Sequence, residues 1–221
     1  MKFYKHVISD FDGVLADSLE PAMREFNRIR RDEFPQLPEV SGRDDMTIVY
    51  GGSLRTALRP WLTEAESRRF FDLHSAAMAK LHATVAVFDG VGELLSALGP
   101  GQISIVTSAY SDAVRSVLSR APGFDPACIS QIAGRELRQS KTKKITDILH
   151  DLGIEAAEAV CIGDLESDVI YCRNVPIDII GVGYGYHPAE HLANLRHGPT
   201  YLVNTVKELG HLLQQHVQRG I

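Results

Sequence analysis

Asp10-Phe11-Asp12-Gly13-Val14-Leu15-Ala16-Asp17-Ser18 follows directly on the short apolar run His6-Val7-Ile8-Ser9. A β-branched run of that length, bounded by polar residues, reads as a buried strand of a parallel sheet. Side chains two positions apart on an extended chain point the same way. Asp10 and Asp12 therefore present two carboxylates together at a strand end, and hard oxygen ligands of this kind suit Mg²⁺. A polar turn capping a helix through Asp17 or Ser18 would account for a lone Asp-x-Asp-Gly. The continuation Val14-Leu15-Ala16-Asp17-Ser18 makes the pattern far more specific.

Outward from this stretch, similar apolar runs recur after long gaps. They are Ile103 to Thr107, Ile129 to Ala133, Ala159 to Ile162 and Ile177 to Val182. Helical patterns lie between them. Ile145, Ile148, Leu149 and Leu152 form one face, with Gly153 as a C-terminal cap, and Val206, Leu209, Leu212 and Leu213 form another. Strands alternating with helices predict an α/β fold with a doubly wound parallel sheet, whose ligands sit at the carboxyl ends of strands. The alternation breaks between Asp17 and Val85. Leu19, Met23, Phe26 and Ile29 mark a helix face there, Pro35 and Pro38 interrupt it, and further helical stretches surround Leu54 to Leu62 and Glu64 to Leu81. The expected organisation is a core of residues 1–16 and 86–221 with an all-helical insertion, residues 17–85, after the first strand.

Composition narrows the function classes. The 221 residues carry a formal net charge of −5, which is a poor basis for wrapping a polyanion and argues against nucleic acid as partner. No stretch has the apolar length of a membrane span, and the N-terminus lacks a secretory apolar region. Cys128, Cys161 and Cys172 form no Cys-x-x-Cys pair and no complete disulfide framework, as expected of reduced thiols in the cytoplasm. Ile180-Gly181-Val182-Gly183-Tyr184-Gly185-Tyr186 lacks dinucleotide-binding glycine spacing. His187 and His191 have helical ligand spacing, but with Pro188 between them they read as a solvated helix start.

Three further strand ends carry chemistry. Ile103-Ser104-Ile105-Val106 ends in Thr107-Ser108. Ser140-Lys141-Thr142-Lys143-Lys144 offers three cations before a helix. Val160-Cys161-Ile162-Gly163-Asp164-Leu165-Glu166-Ser167-Asp168 places two acids four residues apart after a strand. Acids favour helix N-termini, which explains Glu166 but not the Gly-Asp-x-x-x-Asp pattern at this strand end.

Together these four segments, in this order, resemble the motifs of the haloacid dehalogenase-like superfamily in its phosphatase form. The resemblance implies that Asp10 is the nucleophile and Asp12 the general acid/base. It makes Thr107 a phosphate donor; Ser108 stands where the family often has Asn. It asks for one lysine to neutralise the phosphoryl group. Counting back from Asp151-Leu152-Gly153-Ile154, which matches the family's helix end, selects Lys141 just before the helix, with Lys143 and Lys144 decorating its first turn. It makes Asp10, the backbone carbonyl of Asp12, and Asp164 ligands of Mg²⁺, with Asp168 binding through water or orienting Lys141.

An insertion after the first motif is, in this superfamily, a helical cap, which favours a small phosphorylated metabolite as substrate. Gly51-Gly52-Ser53-Leu54-Arg55-Thr56-Ala57-Leu58 resembles a stretch in phosphoglycolate phosphatase-like caps, where Arg55 would reach an anionic substrate tail. Arg24, Arg28, Arg30 and Arg31 lie among acids and read as a salt-bridged exposed face. The implied activity is phosphoric monoester hydrolysis. A β-phosphoglucomutase-like phosphomutase shares nucleophile and metal. A non-catalytic phosphate-binding regulator should have lost one of these groups, and none is missing. Nothing in the sequence sets the oligomeric state.

Overall fold

The computed structural model describes residues 2–49 and 57–217. Six strands form one parallel sheet in the order β3-β2-β1-β4-β5-β6. They are β1 (His6–Ser9), β2 (Ile103–Val106), β3 (Ile129–Ala133), β4 (Ala159–Gly163), β5 (Asp178–Val182) and β6 (Tyr201–Val203). The chain builds outward from β1 first to one side and then to the other, so a crevice opens where β1 and β4 adjoin. The fold is the expected α/β doubly wound core with a small helical cap inserted after the first strand.

Strand residues alternate between two apolar layers. Val7, Ile103, Ile105, Val160, Ile162, Ile180 and Val182 face one layer, built with α4 (Val91–Leu98), α5 (Ser111–Leu118) and α8 (Val206–His216). Ile8, Val106, Cys161 and Ile179 face the other, built with α6 (Lys141–Leu152) and α7 (Glu166–Asn174). Gly153 ends α6 in the left-handed conformation, φ +63°, as its place after Leu152 predicts. The short β6 escaped sequence reading because three residues at a sheet edge carry too little period to register.

The insertion has a core of its own. Met23, Phe26 and Ile29 on α1 (Leu19–Glu33) meet Met46 and Val49 on α2 (Arg43–Val49) and Phe70 on α3 (Glu64–Leu81). Phe70 takes Phe26 and Phe34 edge-on, with ring centroids 5.2 and 5.5 Å away. Thr63 and Glu66 form a capping box that starts α3. On α1, Arg28 pairs with Glu25 and Asp32 as expected, whereas Arg30 is part-buried and donates to the Leu37 carbonyl. The outgoing and returning chains run side by side. Ala16 bridges Val87 antiparallel, and Asp17 N–H donates to the Ala86 carbonyl at 2.9 Å. Among the described residues, no helix is long and apolar enough to cross a membrane.

A loop lies flat on α4 because Gly92 has no side chain. A Cβ there would stand 1.9 Å from the Pro122 carbonyl oxygen. Ser96, one turn on, ties the same loop down by donating to the Gly123 carbonyl and accepting from Asp125 N–H. Gly→Ala within a helix ordinarily stabilises by about 1 kcal/mol. Gly92→Ala should instead destabilise by about 1–3 kcal/mol, the usual cost of overpacking. A denaturant midpoint at or above wild type would refute this packing.

Candidate active site

Three strand ends and the first turns of two helices supply the crevice. Asp10 follows β1, where its N–H donates to the Ile162 carbonyl at 2.9 Å. Thr107 follows β2, with its N–H on the Ala133 carbonyl at 3.2 Å. Lys141 is the first residue of α6, one step later than expected, because Ser140 takes the capping position and accepts from Lys143 N–H. Asp164 follows β4, and Asp168 stands in the first turn of α7, where its Oδ2 accepts from Leu165 N–H at 3.1 Å.

These residues converge. Lys141 Nζ donates to Asp10 Oδ2 at 2.5 Å and to Asp168 Oδ1 at 2.8 Å. One carboxylate oxygen from each of Asp10, Asp164 and Asp168 lies within 4.8 Å of the others. Three acids thus share one ammonium. Burial, helped by the Asp168 charge and opposed by Lys141, pushes the Asp10 carboxyl up to about 7. Burial, then Asp168 and Asp10, holds Asp164 well above the carboxylate range. Burial alone would lower Lys141, but Asp10 and Asp168 keep its ammonium well above its ordinary value.

The donor set fits a hard divalent cation. Asp164 Oδ2 accepts from Tyr186 N–H at 2.7 Å, while its Oδ1 is buried and accepts no hydrogen bond. Buried carboxylate oxygens demand a partner, and a cation among excess negative charge supplies one. The backbone presses close here. A Cβ on Gly13 (φ +78°) would lie 2.1 Å from Asp164 Oδ2, and one on Gly185 would lie 2.4 Å from Asp164 Cβ.

Asp12 parts from Asp10. The expected extended geometry, with both carboxylates aimed alike, gives way to a turn in which Asp12 bridges Ala16. Asp12 Oδ1 instead meets Nε2 of His82 at 3.0 Å, and its carboxylate stands outside the group of three acids. His82 is buried at the end of α3 against Phe11. Both aspartates still line one cavity of about 350 Å³ between core and insertion, with Thr107, Ser108, Lys141 and the α3 residues Phe71, His74 and Met78.

Thr107 is buried, and its Oγ1 accepts from Ala109 N–H at 3.0 Å, which leaves the hydroxyl proton free to donate. Ser108 is exposed on the cavity wall. Lys143 pairs on the surface with Asp147 as expected. Lys144 does not decorate the surface. It is buried, and its Nζ donates to the Thr107 carbonyl at 2.7 Å. Burial, then the neighbouring Lys141 charge, lowers its ammonium. No motif marked Lys144; its place one turn after Lys141, on the face α6 turns toward the sheet, was the available signal. His187 is likewise buried rather than solvated. Its Nδ1 accepts from Glu166 N–H at 3.2 Å, at the start of α7. Residues 50–56, with Arg55, lie outside the described residues.

Comparison with known proteins places this geometry in a family. The model for haloacid dehalogenase-like hydrolases matches residues 7–182. The chain belongs to that family. It is 31% identical over 134 residues to a 5'-nucleotidase of Pseudomonas aeruginosa, covering 59% of each chain. It is 27% identical over 190 residues to the tyrosine-protein kinase PtkA of Mycobacterium tuberculosis, covering 83% of this chain and 64% of that one. Less than two thirds of either relative is therefore spanned. A phosphoglycolate phosphatase of Vibrio vulnificus is 24% identical over 219 residues, covering 93% of this chain and 94% of its own. The crystal structure of a predicted phosphatase from Clostridium acetobutylicum superposes with a TM-score of 0.77 at 26% identity, covering 97% of this chain and 100% of that one. This haloacid dehalogenase-like hydrolase thus carries an acidic cluster consistent with phosphatase chemistry and with a divalent metal.

Metal and protons compete for that cluster. A carboxyl whose folded pKa lies above its unfolded value binds more protons when folded, so its contribution to stability falls as pH rises between the two values. For Asp10 that window runs from about 3.8 to about 7, and for Asp164 the sign is the same. Mg²⁺ should therefore raise the melting temperature more at pH 8 than at pH 5. An equal rise at both pH values, or none, would count against a metal at these acids.

Proposed function

We propose that this chain is a Mg²⁺-dependent phosphatase of small phosphomonoesters, in the manner of phosphoglycolate phosphatases, working through an aspartyl-phosphate on Asp10. One observation carries the reading: two aspartates line the same cavity in unlike surroundings, Asp10 on Lys141 and Asp12 on His82. Unlike surroundings suit unlike roles. The whole-chain span of the phosphoglycolate phosphatase match supports the branch.

In this reading Asp10 attacks phosphorus while Asp12 gives its proton to the departing alkoxide. Asp12 then takes a proton from water, whose oxygen attacks the same phosphorus and frees Asp10 and inorganic phosphate. Mg²⁺, held by Asp10, Asp164 and the Asp12 backbone carbonyl, would offset the repulsion between phosphate and carboxylate. The Thr107 hydroxyl and Ser108 bind phosphate oxygens, and Lys144 fixes Thr107 through its carbonyl. Lys141 faces the phosphoryl charge, and Asp168 aims it. The cap, residues 17–85, keeps water and large substrates out. A cavity of about 350 Å³ suits a small metabolite. The three free, buried cysteines accord with a cytoplasmic location.

Asp10→Asn should abolish turnover in a folded protein, and mass spectrometry of wild type quenched during turnover should find phosphate on Asp10. Substantial activity in a verified Asp10→Asn sample rules out the covalent route. Product analysis separates a phosphomutase, which would return an isomerised phosphate ester.

Asp12→Asn should hurt poor leaving groups most. An alkoxide needs a proton as it departs, whereas a nitrophenolate does not. Single-turnover phosphorylation by an alkyl phosphate should slow by about 10²–10⁴-fold, the range of general acid catalysis. The drop with nitrophenyl phosphate should be far smaller. An equal drop for both esters would remove the general-acid role.

A further inference from the structure

Arg135 opens the turn after β3 and lines the same cavity as Asp10 and Asp12. Its Nη1 donates to Ser75 Oγ on α3 at 2.7 Å, and its guanidinium carbon stands 4.8 Å over the Phe71 ring. Among the described residues this is the only hydrogen bond of its side chain, and no carboxylate pairs with it. Its sequence neighbour Glu136 is turned away, accepting from the backbone and hydroxyl of Ser111. The cavity's own acids are committed elsewhere, Asp10 to Lys141 and Asp12 to His82.

A guanidinium has five N–H donors in a planar fork that matches an oxyanion. Here the stem and plane are fixed by Phe71 and Ser75, most donors are unused, and the charge has no protein counter-ion. Partly buried cations without a partner are costly unless something else supplies the anion. The open cavity is where that anion has room to bind.

Resting on the reading of Asp10 as the phosphate end of the site, we infer that Arg135 is a specificity residue for a second oxyanion, a carboxylate or a second phosphate, carried by the leaving group. Held from the core and braced by α3, it reads that group only when the insertion lies over the site. The sequence-based expectation placed such a role on Arg55, which lies outside the described residues; Arg135 comes from the core, after β3.

The test uses three matched series of two to five carbons: plain alkyl phosphates, ω-carboxyalkyl phosphates and ω-phosphoalkyl phosphates. For wild type, kcat/KM should favour one anionic series over the plain one by about 10–100-fold, the worth of a charge-assisted hydrogen bond. The preferred series tells carboxylate from phosphate. In Arg135→Gln that ratio should collapse toward one, and Arg135→Lys should restore part of it. The ratio is internal to each variant, so a loss of folded protein does not mimic the result. If Arg135 is only a strut between core and insertion, all series fall by the same factor and the ratio stays, which overturns the proposal. Wild type without any preference overturns it too. Calorimetry with propylphosphonate, 3-phosphonopropanoate and propane-1,3-bisphosphonate repeats the comparison without turnover. If no ester is hydrolysed, the phosphatase reading fails. The calorimetric ratio in wild type and Arg135→Gln still decides the subsite.

Discussion

Asp10, Asp164 and Asp168 bring three carboxylates to the carboxyl ends of β1 and β4, and Lys141 brings one ammonium to meet them. At such separations inside a protein, like charges repel by several kcal/mol at ordinary effective dielectrics. The surrounding structure serves to hold this imbalance in place. The register of β1 on β4 sets Asp10 beside Asp164, and the first turn of α7 carries Asp168 back over Gly163. A Cβ on Gly163 would lie 2.5 Å from that of Asp168, so the approach requires glycine. Burial first, and the neighbouring carboxylates after it, holds the carboxyls of Asp10 and Asp164 above their ordinary range. A site so charged binds protons or cations, and the two compete for the same carboxylates.

The insertion is bound to the same centre through its own side chains. Arg43, at the start of α2, donates to the carbonyls of Gly183, Tyr184 and Gly185, the last at 2.6 Å. That loop delivers the Tyr186 N–H to Asp164, and the Tyr186 ring packs into the insertion's apolar core. At the other end of the insertion, His82 closes α3 and holds Asp12. Arg120 then secures the returning chain by donating to the carbonyls of His82 and Val85, each at 3.0 Å. Movement of the helical layer would thus be felt at Asp164 through one connection and at Asp12 through another.

The sequence disclosed what depends on local order. Strand ends, helix faces and the acids at fixed offsets from them all follow from periods of two and about three and a half, so Asp10, Thr107, Asp164 and Asp168 could be placed on their elements before any coordinates. It disclosed less where partners are distant in the chain. Lys144 looked like one more surface lysine of a basic run, and only the nearness of the Thr107 carbonyl shows why it is buried. His187 carried the spacing of a solvated helix start, but the burial of its ring depends on how α7 begins. His82 and Arg135 belong to no motif at all; their contacts cross 70 and 60 positions of chain. Even the close pair Asp10 and Asp12 departs from the extended geometry that the sequence suggests, because β1 stops at Ser9 and the chain turns through Gly13, φ +78°.

That departure bears on how one short stretch can hold two environments. Were β1 to continue straight through Asp12, both carboxylates would face the same group of acids. The turn separates them. Asp10 stays among Lys141, Asp164 and Asp168, in the crowded acidic group. Asp12 turns to His82, on the side where the cavity meets the insertion. Gly13, with φ +78° and no room for a side chain against Asp164, is the residue that permits the two environments to lie two positions apart.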